Sequence, residues 1–324
     1  MPFKRIYRIM CANRVSLARW LIWAGRNEEA RQILLRLHDD PADPQHTFAR
    51  TEYVQIVKQM EVDRTLDSSW LHILKKASLR KRALISIGTT GFIQCSGILV
   101  INNYGPQLYK GLGFDTATQL IYGAAWLTFA LGLDIIACFI NDHVSRNKLM
   151  SIGVLGCMIV LSIEAALVAE FVGTTNTTAL RAAVAFLFLI EVPYDFCLNG
   201  MQFIYLGEIW PTHLRAKGLS LGTAMISFMN IVWLQSAPSA FAAIGWKFYL
   251  CFIIPGTIGA VIMWVYFPNT LGLPLEEVAA IFGDADEVAG YMKDIEITEE
   301  DIDNIGAVIP AEKGSANHVE VEKV

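Results

Sequence analysis

The stretch KLMSIGVLGCMIVLSIEAALVAEF, residues 148–171, opens on Lys148 and then runs almost wholly apolar to Phe171, interrupted by two serines, Glu164 and Glu170. A helix needs about 20 such residues to cross the roughly 30 Å hydrocarbon core of a bilayer. Five further stretches read the same way, at approximately 83–106, 119–140, 181–207, 218–243 and 246–267. The breaks between them carry charges or turn formers, such as Gly111-Leu-Gly113, Asn141-Asp142-His143 and Gly173-Thr-Thr-Asn176. None of the six alternates with period two, which excludes barrel strands. The expectation is an all-α membrane protein with six transmembrane helices, preceded by cytoplasmic amphipathic helices.

Outward from these spans the composition changes sharply. Hydrophobic residues make up 54% of the 324 and charged residues 18%, below the quarter usual in soluble domains. Sixteen of the 26 Lys and Arg lie in residues 1–82, and fourteen of the 31 Asp and Glu in residues 276–324. The net charge of -5 therefore averages a basic head, an apolar middle and an acidic tail. Nucleic-acid binding is a poor reading, because the basic residues are scattered along amphipathic stretches without an aromatic platform. Lys4, Arg5 and Arg8 lead into Cys11 and Arg14, not into an apolar run, so the opening residues do not read as a signal peptide.

Cys95, Cys138, Cys157, Cys197 and Cys251 fall inside apolar spans, Cys11 lies outside, and no pair has metal-ligand spacing. They read as small hydrophobes. The six histidines, His38, His46, His72, His143, His213 and His318, are dispersed and outside the spans. No glycine loop for a nucleotide is present. The expectation is a protein that is not an enzyme and needs no cofactor or metal.

Orientation follows from Lys and Arg in the loops. With six spans, residues 1–82, the loops at 141–148 and 208–217 and the tail share one side, which holds 23 Lys and Arg against three, Lys110, Arg181 and Lys247, on the other. Both termini are expected in the cytoplasm. Asn176-Thr-Thr178, a glycosylation acceptor, falls in a loop assigned outside. Residues 1–82 read as a head with one amphipathic helix through Arg19–Leu37, apolar at 20, 23, 30, 33, 34 and 37 and stopped by Asp39-Asp40-Pro41, and a second from Thr51 to about Met60. Residues 83–267 read as the bundle, and 268–324 as an acidic cytoplasmic tail, disordered after about Glu300.

Several segments resemble the sugar porter family of the major facilitator superfamily, particularly its fungal members, over about residues 16–288. Glu208-Ile-Trp-Pro211-Thr-His-Leu-Arg215-Ala-Lys217-Gly218 resembles the family pattern between helices ten and eleven. Asp142-His-Val-Ser-Arg146-Asn-Lys148 resembles the loop between helices eight and nine. Gln94-Cys-Ser-Gly97-Ile98 with Tyr104 resembles helix seven, Ser16-Leu-Ala-Arg19-Trp20-Leu21 a degraded E-S-P-R-W-L, and Phe267-Pro268-Asn-Thr270-Leu-Gly272 the segment after helix twelve. The resemblance makes the six spans helices seven to twelve, a C-terminal half lacking helices one to six, which needs that half or a partner chain to complete a substrate path.

The resemblance implies a carrier of a sugar or polyol by facilitated diffusion or proton symport, most commonly at the plasma membrane. A sugar sensor with the same fold, or a non-functional fragment, are the alternatives. Amides, hydroxyls and an aromatic ring suit a sugar, and Gln94, Asn102, Asn103 and Tyr104 in helix seven with Asn230 and Trp233 in helix eleven are the candidates. Gln94 matches a family glutamine and Asn230 a family sugar-contacting asparagine, whereas Ile93, Leu99, Ala130 and Phe203 depart from the pattern. Ionisable groups inside spans, Asp134, Glu164, Glu170, Glu191 and Asp195, are functional candidates because burying a carboxylate is costly. Asp195, with Pro193, Asn199 and Gly200 as helix breakers around it, is expected to couple protons or gate, with Asp134 as a companion. Asp142, Arg146, Glu208 and Arg215 are expected to form a cytoplasmic latch.

Overall fold

The computed structural model describes residues 17–38, 47–111, 114–171, 177–273 and 275–284, and every described element is helical. The chain divides into two compact units, Met1–Leu66 with Asp286–Val324, and Asp67–Ala285. The glycosylation acceptor at Asn176, the stop at Asp39-Asp40-Pro41 and the tail beyond residue 284 lie outside the described residues.

In the first unit, residues 17–23 (α1), Asn27–Leu37 (α2) and Thr47–Thr65 (α3) pack around Ala18, Leu21, Ile22, Ala30, Leu34 and Ile56. The single helix expected through Arg19–Leu37 is therefore two. Gly25 takes φ 78°, a left-handed conformation that glycine adopts without a steric cost, and the chain turns there. The break ends the helical period, so α1 buries its own face. Trp20 and Trp23, expected on the apolar side, are 52% and 62% exposed. Glu28 and Glu29 in the first turn of α2 and Arg36 in its last complement the helix dipole.

The second unit holds the apolar helices. Trp70–Lys75 (α4) is capped by the Ser69 hydroxyl, which accepts from the His72 N–H at 3.1 Å. Ala77–Gln94 (α5) and Ile98–Gly111 (α6) follow, then Thr116–Ile140 (α7) and Arg146–Phe171 (α8). Thr177–Leu189 (α9), Glu191–Tyr194 (α10), a π turn at Asp195–Asn199 and Met201–Ile209 (α11) form one interrupted rod. Arg215–Ile244 (α12), Leu250–Tyr266 (α13) and Leu275–Phe282 (α14) complete it.

Among the described residues four helical stretches are long and apolar enough to cross a membrane, and α5 with the first part of α6, bent by 44°, makes a fifth. The last of the four, Thr212–Tyr266, has 55 residues, about 80 Å of helix at 1.5 Å per residue and more than two bilayer cores. Gly245, at φ 54°, and a 3₁₀ turn at Gly245–Tyr249 divide it. The Trp233 and Phe252 rings, on either side of that turn, lie 4.6 Å apart, so the chain reverses there and the described stretch supplies two crossings.

Packing is close where side chains are small. A Cβ on Gly153 would stand 2.5 Å from the Cys197 Cβ, which brings α8 against the π turn. Ser86, Thr89 and Thr90, all buried on α5, give their hydroxyls to the carbonyls of Arg82, Ile85 and Ser86 at 2.8–3.1 Å. Those three hydroxyls are thereby satisfied along their own helix. Within the segment read from sequence as tail, α14 buries Val278, Ala279 and Phe282, and Asp284 beyond it accepts from Arg82 and pairs with Lys76, each at 2.9 Å.

Candidate functional sites

Three places combine buried polar groups with a break in regular structure. The first is the kink between α5 and α6. Cys95 and Ser96 turn their N–H groups back onto Phe92 and Ile93 at 3.1 and 2.9 Å, and Gly97 leaves the helix at φ 75°. Gln94 thus ends α5, 3% exposed, and its Oε1 has no hydrogen-bond partner in the protein. Across from α5 packs α12. On α12, Asn230 Oδ1 and Trp233 Nε1 are likewise buried and unpartnered, while the Trp233 ring rests on Phe252. Tyr104 of α6 donates its hydroxyl to the Leu234 carbonyl of α12 at 2.9 Å. Asn102 and Asn103 are exposed, and the Asn103 amide donates to its own helix at Leu99 O, 2.9 Å away. An apolar cavity beside the kink is lined by Gly97, Ile101, Leu161, Tyr249 and Phe252, among others.

The second place is the π turn. Pro193 has no N–H to give the Leu189 carbonyl, so the ladder of this span loosens just before it. The wider turn that follows carries Asp195 and Asn199, and π turns of this kind occur at functional sites. The Asn199 Nδ2 donates to both oxygens of Asp134, on α7, at 3.2 and 3.3 Å, and to Asp195 Oδ1 at 3.3 Å. Asp195 and Asp134, candidates together from the sequence, are joined through one amide. Glu191, 3% exposed, stands one turn before Asp195, close to it and to the Trp126 indole.

The third place is the turn before α8. Arg146 donates to both carboxylate oxygens of Glu208, at 3.0 and 3.3 Å, and to the Asn141 carbonyl. Glu208 also accepts from the Thr270 hydroxyl at 2.6 Å, and Asn269 Oδ1 accepts the Arg146 backbone N–H at 3.1 Å. Asn147 Nδ2 and Tyr205 OH donate to the carbonyls of Phe267 and Pro268 at 3.1 and 3.0 Å. The residues after α13 therefore lock over the pair between α8 and α11. Arg215 opens α12, half-buried, and the Asp142 side chain lies outside the described residues. Asn269 and Thr270 sat inside a motif quoted from the sequence, but a role for them there needed the fold.

Among the described residues, apolar crossings broken in two places at buried polar groups define a polytopic helical membrane protein. The pattern of the sugar (and other) transporter family matches residues 9–282, and the chain belongs to that family, the sugar porters of the major facilitator superfamily. It is an integral membrane protein from a family of transporters, not enzymes.

Among its curated relatives, the MFS-type transporter criB of Aspergillus cristatus is 25% identical, over 82% of this chain and 53% of its own. A probable polyol transporter 6 of Arabidopsis thaliana is 28% identical, over 84% and 58%. The arabinose-proton symporter of Bacillus subtilis is 29% identical, over 82% and 54%. The chain spans about half the length of these relatives. In fold it is similar to the proton:xylose symporter XylE bound to 6-bromo-6-deoxy-D-glucose, with a TM-score of 0.63 at 23% identity over 82% of this chain and 54% of that one. It is also similar to the inward-open xylose transporter XylE of E. coli, with a TM-score of 0.58 at 20% identity, over 81% and 51%.

Proposed function

We propose that this chain is the C-terminal half of a sugar or polyol carrier that works by alternating access, completed by a six-helix half or a partner chain. The observation that carries the reading is the set of buried polar atoms without protein partners on two neighbouring helices, Gln94 Oε1 on α5 and Asn230 Oδ1 and Trp233 Nε1 on α12. Acceptors and a donor beside aromatic rings fit a ligand made of hydroxyls with an apolar face. In this reading Tyr104, Asn102 and Asn103 complete the wall on α6. The relatives named for polyol and arabinose–proton transport support the substrate class. Asp195 and Asp134 serve proton coupling or gating, and Arg146 with Glu208 latches the cytoplasmic ends, assisted by Asp142 and Arg215. Both termini face the cytoplasm, and the plasma membrane is its place.

The test is uptake of labelled pentoses, hexoses and polyols in a transport-deficient host. The chain alone is expected to do no better than empty vector, and the chain with its missing half supplied to give saturable uptake of at least one. Absence of uptake and of binding for every sugar and polyol by the completed transporter overturns the reading.

A further inference from the structure

The π turn gathers three carboxyl groups with too few donors to satisfy them. Asp134 comes from α7, Glu191 from α10 and Asp195 from the turn itself. Among the described residues the Asn199 amide donates to Asp134 and Asp195, and the Trp126 indole lies near Glu191. Glu191 and Asp195 are each 3% exposed, and Asp195 Oδ2 is buried with no hydrogen-bond partner. The other titratable groups facing the pair are Cys157 from α8, Cys197 on the turn and Tyr194 on α10. No Lys, Arg or His occurs at 116–140, 149–171 or 182–209, so none of the packed elements offers a cation at this depth.

Two carboxylates in contact have only acceptors to offer each other, and uncompensated they carry a desolvation cost of several kcal/mol per ion. Among the described residues no cluster has metal-holding geometry. A proton removes both problems at once. It cancels one charge, and it supplies the donor that the buried Asp195 oxygen lacks.

We propose that Glu191 and Asp195 form a proton-binding site, one proton being held between the two carboxyl groups, with Asn199 tying the site to Asp134. Release breaks the O–H bond of the carboxylic acid, leaves two carboxylates and passes the proton to water. Asp134, half-buried, is the most exposed of the three carboxyl groups. Asn199, which donates to both Asp134 and Asp195, makes occupancy of the site sensitive to any shift of α7 against the π turn. The use of this proton in sugar movement rests on the transport reading; its presence does not.

Infrared spectroscopy of the chain in lipid nanodiscs tests it through the C=O band of a protonated carboxylic acid. A Glu164→Gln background silences a further deeply buried carboxyl, on α8 at 2% exposure. The band is expected at neutral pH, to shift in heavy water and to lose one carboxyl equivalent in Glu191→Gln. In Asp195→Asn, where the neighbouring charge is gone, the proton is expected to be held about tenfold less tightly. Circular dichroism checks that each variant is folded, and Asp134→Asn, which spares the pair, should keep the band. A band that is absent at neutral pH, unchanged by Glu191→Gln, or abolished by sodium ions and indifferent to pH overturns the proposal. None of these readings depends on uptake, so a failed transport reading would show separately.

Discussion

Gly218 and Trp210 approach more closely than any side chain would permit. A Cβ at residue 218 would stand 2.3 Å from the indole, which is fully buried and held by its N–H to Ser86 Oγ at 2.8 Å. Gly218→Ala is therefore expected to cost about 1–3 kcal/mol by overpacking, read as a lower unfolding midpoint of the purified protein. Gly207→Ala, with nothing within 4 Å, should leave it unchanged. The Arg146–Glu208 pair is the second strong contact at this scale, with side chains 7% and 29% exposed. Arg146→Ala leaves Glu208 without its bidentate partner, and a loss of about 2–5 kcal/mol is expected, at the lower end because Glu208 keeps Thr270. For ligand recognition, Gln94→Ala in a completed transporter should weaken binding by about 1–3 kcal/mol, a five- to hundredfold loss of affinity with surface expression unchanged. Unaltered affinity would move recognition to Asn102, Asn103 or Asn230.

At the scale of elements, the broken helices do the positioning. The kink at Cys95–Gly97 ends α5 on Gln94 and bends the first part of α6 by 44° from it. Gly97→Ala should be poorly tolerated, since a left-handed residue with a Cβ costs about 1–2 kcal/mol and the added carbon meets Leu161 at 3.3 Å. Thermal unfolding beside Gly123→Ala, which enters open space on α7, separates this strain from a general effect. Much of this level was legible. Gly97 sat in the motif quoted for helix seven, and Pro193, Asn199 and Gly200 suggested a disturbed helix around Asp195. The break at Gly25 was not, because an amphipathic period runs on through a residue that the backbone uses as a turn. Nor was α14, whose short Leu275–Phe282 stretch stands among acids and is helical because Val278, Ala279 and Phe282 find a core.

For the molecule as a whole, burial is uneven among the spans. The apolar stretch of α7 is 11% buried, against 39–44% for the other three, and Leu120, Leu127, Leu131 and Ile135 on it are exposed. A helix so bare meets either lipid or more protein, which fits a chain spanning half of its relatives. The distribution of Lys and Arg carries the topological prediction. A tag at either terminus should be reachable only after permeabilisation, and one beside Asn176 on intact cells; a terminus reachable on intact cells would invert the arrangement.

By itself the sequence determined where the apolar crossings fall and which family the chain resembles. Hydropathy is a local sum along the chain and needs no partner to be read. It also picked out Asp195 and Asp134, since charge in an apolar span is conspicuous wherever it points, and Arg146 and Glu208 through the loop motifs that resemble the family. What only the tertiary structure decided is who meets whom. Glu208 takes Arg146 from 62 residues before it and Thr270 from 62 after it, Asn199 reaches back 65 residues to Asp134, and Glu191 finds Trp126. Such pairings depend on the rotation of each helix about its axis, and one residue of slip turns a side chain by about 100°. That angle is set by packing against neighbours distant in the chain, and no local pattern records it.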